Sequence, residues 1–358
     1  MKIYFAPLEG ITGFVFRNAY EKYYGGIDKY FTPFITPHTK KSMDMREKRD
    51  ILLEHNKGIY VVPQILTNQA EDLVNICKEL KEYGYNEVNL NLGCPSKTVT
   101  AKHKGSGFLE NPLELERFFD TFFEKSDTKL SIKTRIGRWE LEEAMPLFQV
   151  YEKFPFEEII IHARLGSEFY QGIPHYDVFE EYGTWSKQSL CYNGDIVNRQ
   201  QLDAWNQKWS FCDTFMIGRG LIANPQMLET VSNIKENTDS KMNIASQLLY
   251  ENQNELSNND LKHISYQNCE LQEIFDSKRF LEFHNALVHG YAEYLSGDRN
   301  ILFRMKELWS YWAKQFTEGE SFLDTNNSDN KNQMKLIKMI KKTNTLKEYQ
   351  SLVEQLIC

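Results

Sequence analysis

Short apolar runs alternate with longer amphipathic stretches from residue 3 to about residue 228. The runs IYFAPL (3–8), KYFTPF (29–34), YVVPQI (60–65), EVNLNL (87–92), LSIKTRI (130–136), EIIIHAR (158–164), SLCYNG (189–194) and TFMIGRG (214–220) have the length and composition of buried strands. Helical periodicity separates several of them. In NQAEDLVNICKELKEY (68–83), Leu73, Ile76, Cys77 and Leu80 fall on one face. Thr12 predicts a cap for a helix over GFVFRNAY, and Asn111-Pro112 predicts the start of another over LELERFF, with proline at the first helical position. Eight strands alternating with helices predict an α/β fold, a (β/α)8 TIM barrel over residues 1–235. A doubly wound open sheet usually carries GxGxxG after its first strand, and this chain has none there.

The pattern changes after the barrel. Residues 236–272 are polar and rich in Asn, Ser and Gln, as in a linker or an insertion. Helical periodicity returns in FDSKRFLEFHNALVHGYAEYL, ILFRMKELWSYWAKQF and MKLIKMIKKTNTLKEYQSLVEQL, with TNNSDNKNQ (325–333) as an exposed loop between the last two. A small all-helical domain over 273–358 is predicted.

Composition narrows the class. Hydrophobic residues make up 41% and charged residues 26%, which is globular. No apolar run approaches the roughly 18–20 residues that cross a bilayer. Glu9 interrupts the start of the chain before a signal-peptide core could form. Six cysteines without a CxxC pair point to neither a zinc site nor a disulfide framework. A monomeric, reduced, cytoplasmic protein with no metal and no membrane partner is expected. The net charge of −8 argues against indiscriminate nucleic-acid binding, so any RNA contact must come from a local basic patch.

The candidate chemistry lies at the strand ends. Alternation in EVNLNL turns Val88, Leu90 and Leu92 toward the helices and Asn89 and Asn91 toward the barrel interior. The same parity turns Gln64, Lys133, Arg135, His162, Arg164 and Asn193 inward, near the C-terminal strand ends where barrel active sites are built. One such amide or histidine is usually a satisfied structural group. Groups from five strands converging on one mouth predict a polar ligand site, because unpaired buried polar atoms are costly. The turns Asn193-Gly194-Asp195 and Gly218-Arg219-Gly220 follow the last two strands, a common place for a phosphate cradle. Cys94, in Gly93-Cys94-Pro95-Ser96-Lys97, is placed to act as an acid or a nucleophile, with Lys97, Lys102, His103 and Lys104 forming a basic loop beside it. From these residues alone, a phosphorylated cofactor and a Schiff-base chemistry at Lys133 both remain open.

The segments APLEGITG (6–13), VVPQI (61–65), NLNLGCPSKTV (89–99), SIKTRIG (131–137), IIIHAR (159–164), YNGDI (192–196) and MIGRG (216–220) together resemble the tRNA-dihydrouridine synthase family, in that family's order. RMKELWSYWAKQF (304–316) is similar to its helical RNA-binding domain. The resemblance implies a flavin oxidoreductase: NADPH (or NADH) reduces a bound FMN, which then saturates the C5–C6 bond of selected uridines in tRNA. It implies Cys94 as the general acid that protonates uracil C5. It assigns Pro7, Leu8, Glu9, Gln64, Lys133, His162, Asn193, Gly194, Asp195, Gly218 and Arg219 to FMN. Asn91, Lys97, Arg135, Arg164, Arg299 and Arg304 fall to the uridine and its RNA, with Lys102, Lys104, Lys278, Arg279 and Lys306 extending that surface. A barrel that binds RNA without turnover is the alternative from another class, and the presence of Cys94 with the flavin set favours the enzyme.

Overall fold

The computed structural model describes residues 1–37, 43–229, 275–316 and 328–357, without the side chains of 328–330. Strands β1 (Lys2–Phe5), β2 (Lys29–Phe31), β3 (Val61–Val62), β4 (Gln64–Ile65), β5 (Glu87–Leu92), β6 (Lys129–Gly137), β7 (Ile159–Leu165), β8 (Leu190–Asn193) and β9 (Thr214–Ile217) form one sheet in the order β3-β2-β1-β9-β8-β7-β6-β5-β4. All pairings are parallel. The two ends of that order are halves of one predicted strand, divided at Pro63, which has no N–H to give to a ladder. Pro63 still accepts from Asn89 N at 2.9 Å, and Gln64 O accepts from Ile35 N at 2.8 Å, so the ring closes through this segment. The result is the expected eight-stranded barrel, its helices including Phe14–Tyr23, Ala70–Glu82, Pro112–Lys125 and Tyr176–Trp185.

Strand parity holds. Val88, Leu90 and Leu92 lie in the large core between sheet and helices. Inside the barrel, Tyr4, Ala6, Phe31, Val62, Ile160, Cys191 and Met216 form a separate apolar plug. The cap expected from Thr12 is absent: Gly13 is the N-cap, and Asp50 Oδ1 accepts from Phe14 N at 2.6 Å. Thr12 Oγ1 instead accepts from Leu8 N at 2.8 Å, tying the loop after β1. Asn111 does cap its helix, with Pro112 at the first position.

Three of the C-terminal helices, Ser277–Tyr294, Asp298–Trp312 and Leu346–Ile357, pack around Phe280, Phe283, Trp309, Trp312 and Tyr349. The fourth, Ser328–Ile340, corrects the loop expected over 325–333 from residue 328 on, residues 325–327 lying outside the described residues: Leu336, Ile337 and Ile340 give it an apolar side despite a polar first turn. A break at 341–345 divides what the periodicity presented as one helix. The expected linker, 236–272, lies outside the described residues.

This domain shares its core with the barrel. Phe283 meets Phe16 edge-on at 5.8 Å, and Gly290 lies where a Cβ would come within 2.7 Å of Val15. Arg279 grips Glu229 with two nitrogens, at 2.6 and 2.8 Å, while stacking on Tyr24.

The N-terminal end of the barrel is closed by buried charge. Lys29 Nζ lies 3.0 Å from Glu87 Oε1 and 3.7 Å from Glu158 Oε2, so two carboxylates share one ammonium. Tyr4 and Tyr60 donate to Glu158 and Glu87 at 2.7 and 2.8 Å. Burial pushes the Glu158 carboxyl up to about 7, against the pull of Lys29. A carboxyl raised in the folded state binds its proton more tightly there than in the unfolded chain. Its contribution is therefore present below about pH 4.5 and is lost as pH rises through 7. Relative to Glu158→Gln, wild type is expected to lose about 2.5 kcal/mol between pH 5 and 8. Denaturant melts of both proteins across that range check it, and a constant gap would contradict it.

Candidate active site

Opposite that ionic end, the mouth is built from groups on β4 to β8 and the loops after them. Gln64, Asn89 and Asn91 form one amide chain: Gln64 Nε2 donates to Asn89 Oδ1, and Asn91 Nδ2 donates to Gln64 Oε1, both at 2.8 Å. Asn91 Oδ1 then accepts from Gly93 N at 3.0 Å and Cys94 N at 2.9 Å. The carbonyl of Cys94 accepts from Ser106 N at 3.0 Å and Ser106 Oγ at 3.1 Å. Gly105, at φ +56°, approaches so closely that a Cβ there would stand 2.6 Å from that carbonyl. The peptide of Cys94 is thus fixed on both sides.

Cations crowd the same mouth. Lys133 Nζ donates to Asn193 Oδ1 at 2.9 Å, and Asn193 Nδ2 donates to Met216 O at 2.7 Å. Arg135 donates to the carbonyls of Gly93, Leu165 and Phe169 at 2.7–2.8 Å. Arg164 is fully buried and donates to Gln171 O, Gly172 O, His162 Nε2 and both oxygens of Asp195. Asp195 also takes Arg219 Nη2 at 2.5 Å. The Asn193-Gly194-Asp195 turn is held in left-handed backbone, with Gly194 at φ 141° and Asp195 at φ 38°. A Cβ on Gly194 would lie 2.9 Å from the Tyr192 hydroxyl.

The charges set the proton states. Desolvation, then the neighbouring Arg135, pulls the Lys133 ammonium down to about 8. Arg135 itself is brought down to about 10 by burial. Burial and the surrounding cations hold His162 far below its ordinary range, so the ring is neutral. Arginine only donates, so Nε2 of His162 accepts from Arg164 and the ring proton sits on Nδ1. Desolvation raises the Cys94 thiol, which therefore stays protonated at neutral pH.

Other expected residues fall elsewhere. Gly218 lies against the end of β1 and the loop after it, where a Cβ on it would stand 3.1 Å from Ala6 and 3.2 Å from Leu8, and Pro7 is half-buried between those two residues. Glu9 pairs with Arg46 at 2.5 Å while its charge acts on Cys94. Lys97 and Lys102 are exposed on the loop after Cys94. Arg299 is exposed, whereas Arg304 Nη1 donates to Gly10 O at 2.6 Å and ties the helical domain to the rim. Sequence reasoning missed Tyr170. It is exposed on the loop after β7, with the Arg219 and Arg135 guanidinium groups 4.6 and 5.5 Å from its ring. An aromatic in a loop has no periodicity to mark it. Among the described residues, no cluster of three His, Cys, Asp or Glu side chains could hold a metal ion, and no helix is long and apolar enough to cross a membrane.

The profile of the family described as Dihydrouridine synthase (Dus) matches residues 4–308. The chain belongs to the dihydrouridine synthase family. Among curated relatives, tRNA-dihydrouridine synthase B of Pasteurella multocida is 26% identical over 239 residues, covering 66% of this chain and 70% of its own. A probable tRNA-dihydrouridine synthase of Staphylococcus epidermidis is 27% identical over 234 residues, covering 63% of this chain and 70% of its own. Among solved structures, an old yellow enzyme homologue of Zymomonas mobilis aligns with a TM-score of 0.47 at 11% identity, covering 67% of this chain and 90% of its own.

In this dihydrouridine synthase barrel, Arg164 braces the loop that carries Tyr170. Arg164→Met is expected to cost about 3 kcal/mol or more, because it leaves Asp195 and two carbonyls short of a partner. Limited proteolysis should then cut between residues 166 and 173, and undiminished protection there would contradict the bracing role.

Proposed function

We propose that this protein is a tRNA-dihydrouridine synthase that holds FMN in the barrel mouth and uses NADPH to reduce the C5–C6 bond of specific uridines. The observation that carries this reading is a protonated cysteine whose peptide is fixed at the cation-rich mouth of the barrel. Family membership supplies the reaction, and the names of the relatives point to tRNA as the substrate.

The residues present fit a phosphorylated flavin. Among the described residues, Lys133 has an amide and no carboxylate as hydrogen-bond partner, which leaves its charge for a ligand. Gly194 and Gly218 let the two turns pack where a Cβ would meet Tyr192 at 2.9 Å and Ala6 at 3.1 Å. Arg219 is partly exposed, so its guanidinium is available to a phosphate beside the turn. When bound, FMN supplies the hydride that reaches uracil C6. Lys133 would stand by the ring edge that gains negative charge, and Arg219 with Gly218 by the phosphate. Asn91 holds the peptide of Cys94, and the thiol delivers its proton to C5. A thiol raised by desolvation suits this role, since a donor must arrive protonated. Asn91, Arg135 and Arg164 act chiefly by positioning, since their polar atoms already hold the Cys94 and Tyr170 loops.

The depressed Lys133 also suits an imine-forming lysine. A yellow protein with a flavin spectrum supports the first reading. A colourless protein trapped on Lys133 by borohydride with a phosphorylated aldehyde would overturn it.

Cys94→Ala is expected to keep its flavin and its NADPH oxidation while uridine reduction falls by about 10²- to 10⁴-fold, the usual contribution of a general acid. Single-turnover assays on tRNA read this directly. Turnover equal to wild type would remove Cys94 from the mechanism.

A further inference from the structure

A period of two along β5 places Glu87, Asn89 and Asn91 in one column on the inner face of the barrel. The strand register then sets Gln64 of β4 and Ser131 of β6 on either side of Asn89. All five side chains are buried. The apolar plug beside them is built from the other strands and the loop after β1.

Buried polar groups need partners, and here they find one another. Gly93 N and Cys94 N can only donate, so the Asn91 atom that meets them is Oδ1. Its Nδ2 therefore faces Gln64 Oε1, and Gln64 Nε2 faces Asn89 Oδ1. Asn89 Nδ2 in turn donates to Ser131 Oγ at 2.9 Å. The one proton of that hydroxyl must point elsewhere, and it is shared between Glu87 Oε1 at 3.4 Å and Val88 O at 3.3 Å. A carbonyl, and a carboxylate that already accepts from Lys29 and Tyr60, can only receive it.

The chain of amides thus has one direction, from the ionic cluster at the N-terminal end of the barrel to the peptide of Cys94 at the mouth. Turning one amide over would set donor against donor and acceptor against acceptor in a buried site, which costs more than losing a single bond.

We infer that Asn89 and Ser131, one layer below Asn91, are positioning residues for Cys94: they fix which way round Gln64 and Asn91 stand, and so hold the peptide of the thiol in place. The inference rests on the proposed role of Cys94 as proton donor. The competing account is that Gly93 and Cys94 hold Asn91 unaided, with Asn89 and Ser131 serving only as buried packing.

The two accounts rank a pair of variants in opposite order. Packing alone makes Asn89→Leu milder than Asn89→Asp, since an isobutyl side chain is cheap to bury and a carboxyl is not. The relay makes Asn89→Asp the milder. A neutral aspartic acid offers an oxygen to Gln64 and a hydroxyl to Ser131, the pattern of asparagine, whereas leucine leaves Gln64 Nε2 without its acceptor.

The test is hydrogen exchange and single-turnover uridine reduction on the full-length variants, with rates taken per bound flavin. Asn91 Oδ1 takes both the Gly93 and the Cys94 N–H, and Pro95 has none, so exchange over 93–95 reads that one acceptor. Asn89→Leu is expected to exchange there about tenfold faster than wild type. It is expected to reduce uridine about 10- to 10²-fold more slowly, as a displaced catalytic group does, with RNA affinity unchanged. Asn89→Asp should match wild type in both. If Asn89→Leu does not fold, Ser131→Ala takes its place, with Ser131→Thr as the variant that keeps the hydroxyl. Wild-type exchange at 93–95 in Asn89→Leu or Ser131→Ala would overturn the relay and leave the uridine-reductase reading intact. Faster exchange with undiminished uridine reduction would overturn the positioning role. Asn89→Asp impaired more than Asn89→Leu would assign both residues to packing. Wild-type protein that reduces no uridine would overturn the functional reading, and the exchange comparison would still decide the relay.

Discussion

A buried guanidinium must place five N–H donors, and Arg164 places all of them on the mouth of one barrel: two carbonyls of the loop after β7, the ring of His162, and the carboxylate of Asp195. Arg135 does the same for the loop after β5 and a second stretch of the β7 loop. Loops on barrels are usually the mobile part of the molecule. Here two arginines rooted in strands bind loop backbone to barrel wall, so the geometry of the site follows from β6 and β7.

The electrostatics follow from the same placement. Burial in a low-dielectric mouth makes a further positive charge expensive, and the neighbouring Arg135 adds to that cost, which is why Lys133 is depressed; His162, which also faces Lys133 and Arg164, stays neutral. Asp195 offsets part of that charge by pairing Arg164 with Arg219, and it holds Arg219 beside the turn after β8. The apolar plug below separates this charge from the ionic cluster around Lys29, so the barrel has a polar layer at each end. The fixed mouth and its cations together favour an anionic ligand over a neutral one.

Much of this was legible in the chain. Strand parity alone brought Gln64, Asn91, Lys133, Arg135, His162, Arg164 and Asn193 to one mouth, because a period of two in a closed barrel leaves an inward side chain no other direction. What parity cannot read is the partner. Arg135, Arg164 and Arg304 look from sequence like cations awaiting a polyanion, and in the fold their donors meet backbone carbonyls from distant loops. Tyr170 and Ser106 were missed for the same reason, since loop geometry decides what they touch. The helix Ser328–Ile340 was legible from Met334 onward through its apolar periodicity, and only its polar first turns read as loop.

The most direct measurement is mass spectrometry of tRNA after incubation with the purified yellow protein and NADPH. The account predicts dihydrouridine at discrete positions, formed in step with NADPH oxidised. A flavin-loaded protein that oxidises NADPH and binds tRNA while leaving every uridine unchanged would contradict it.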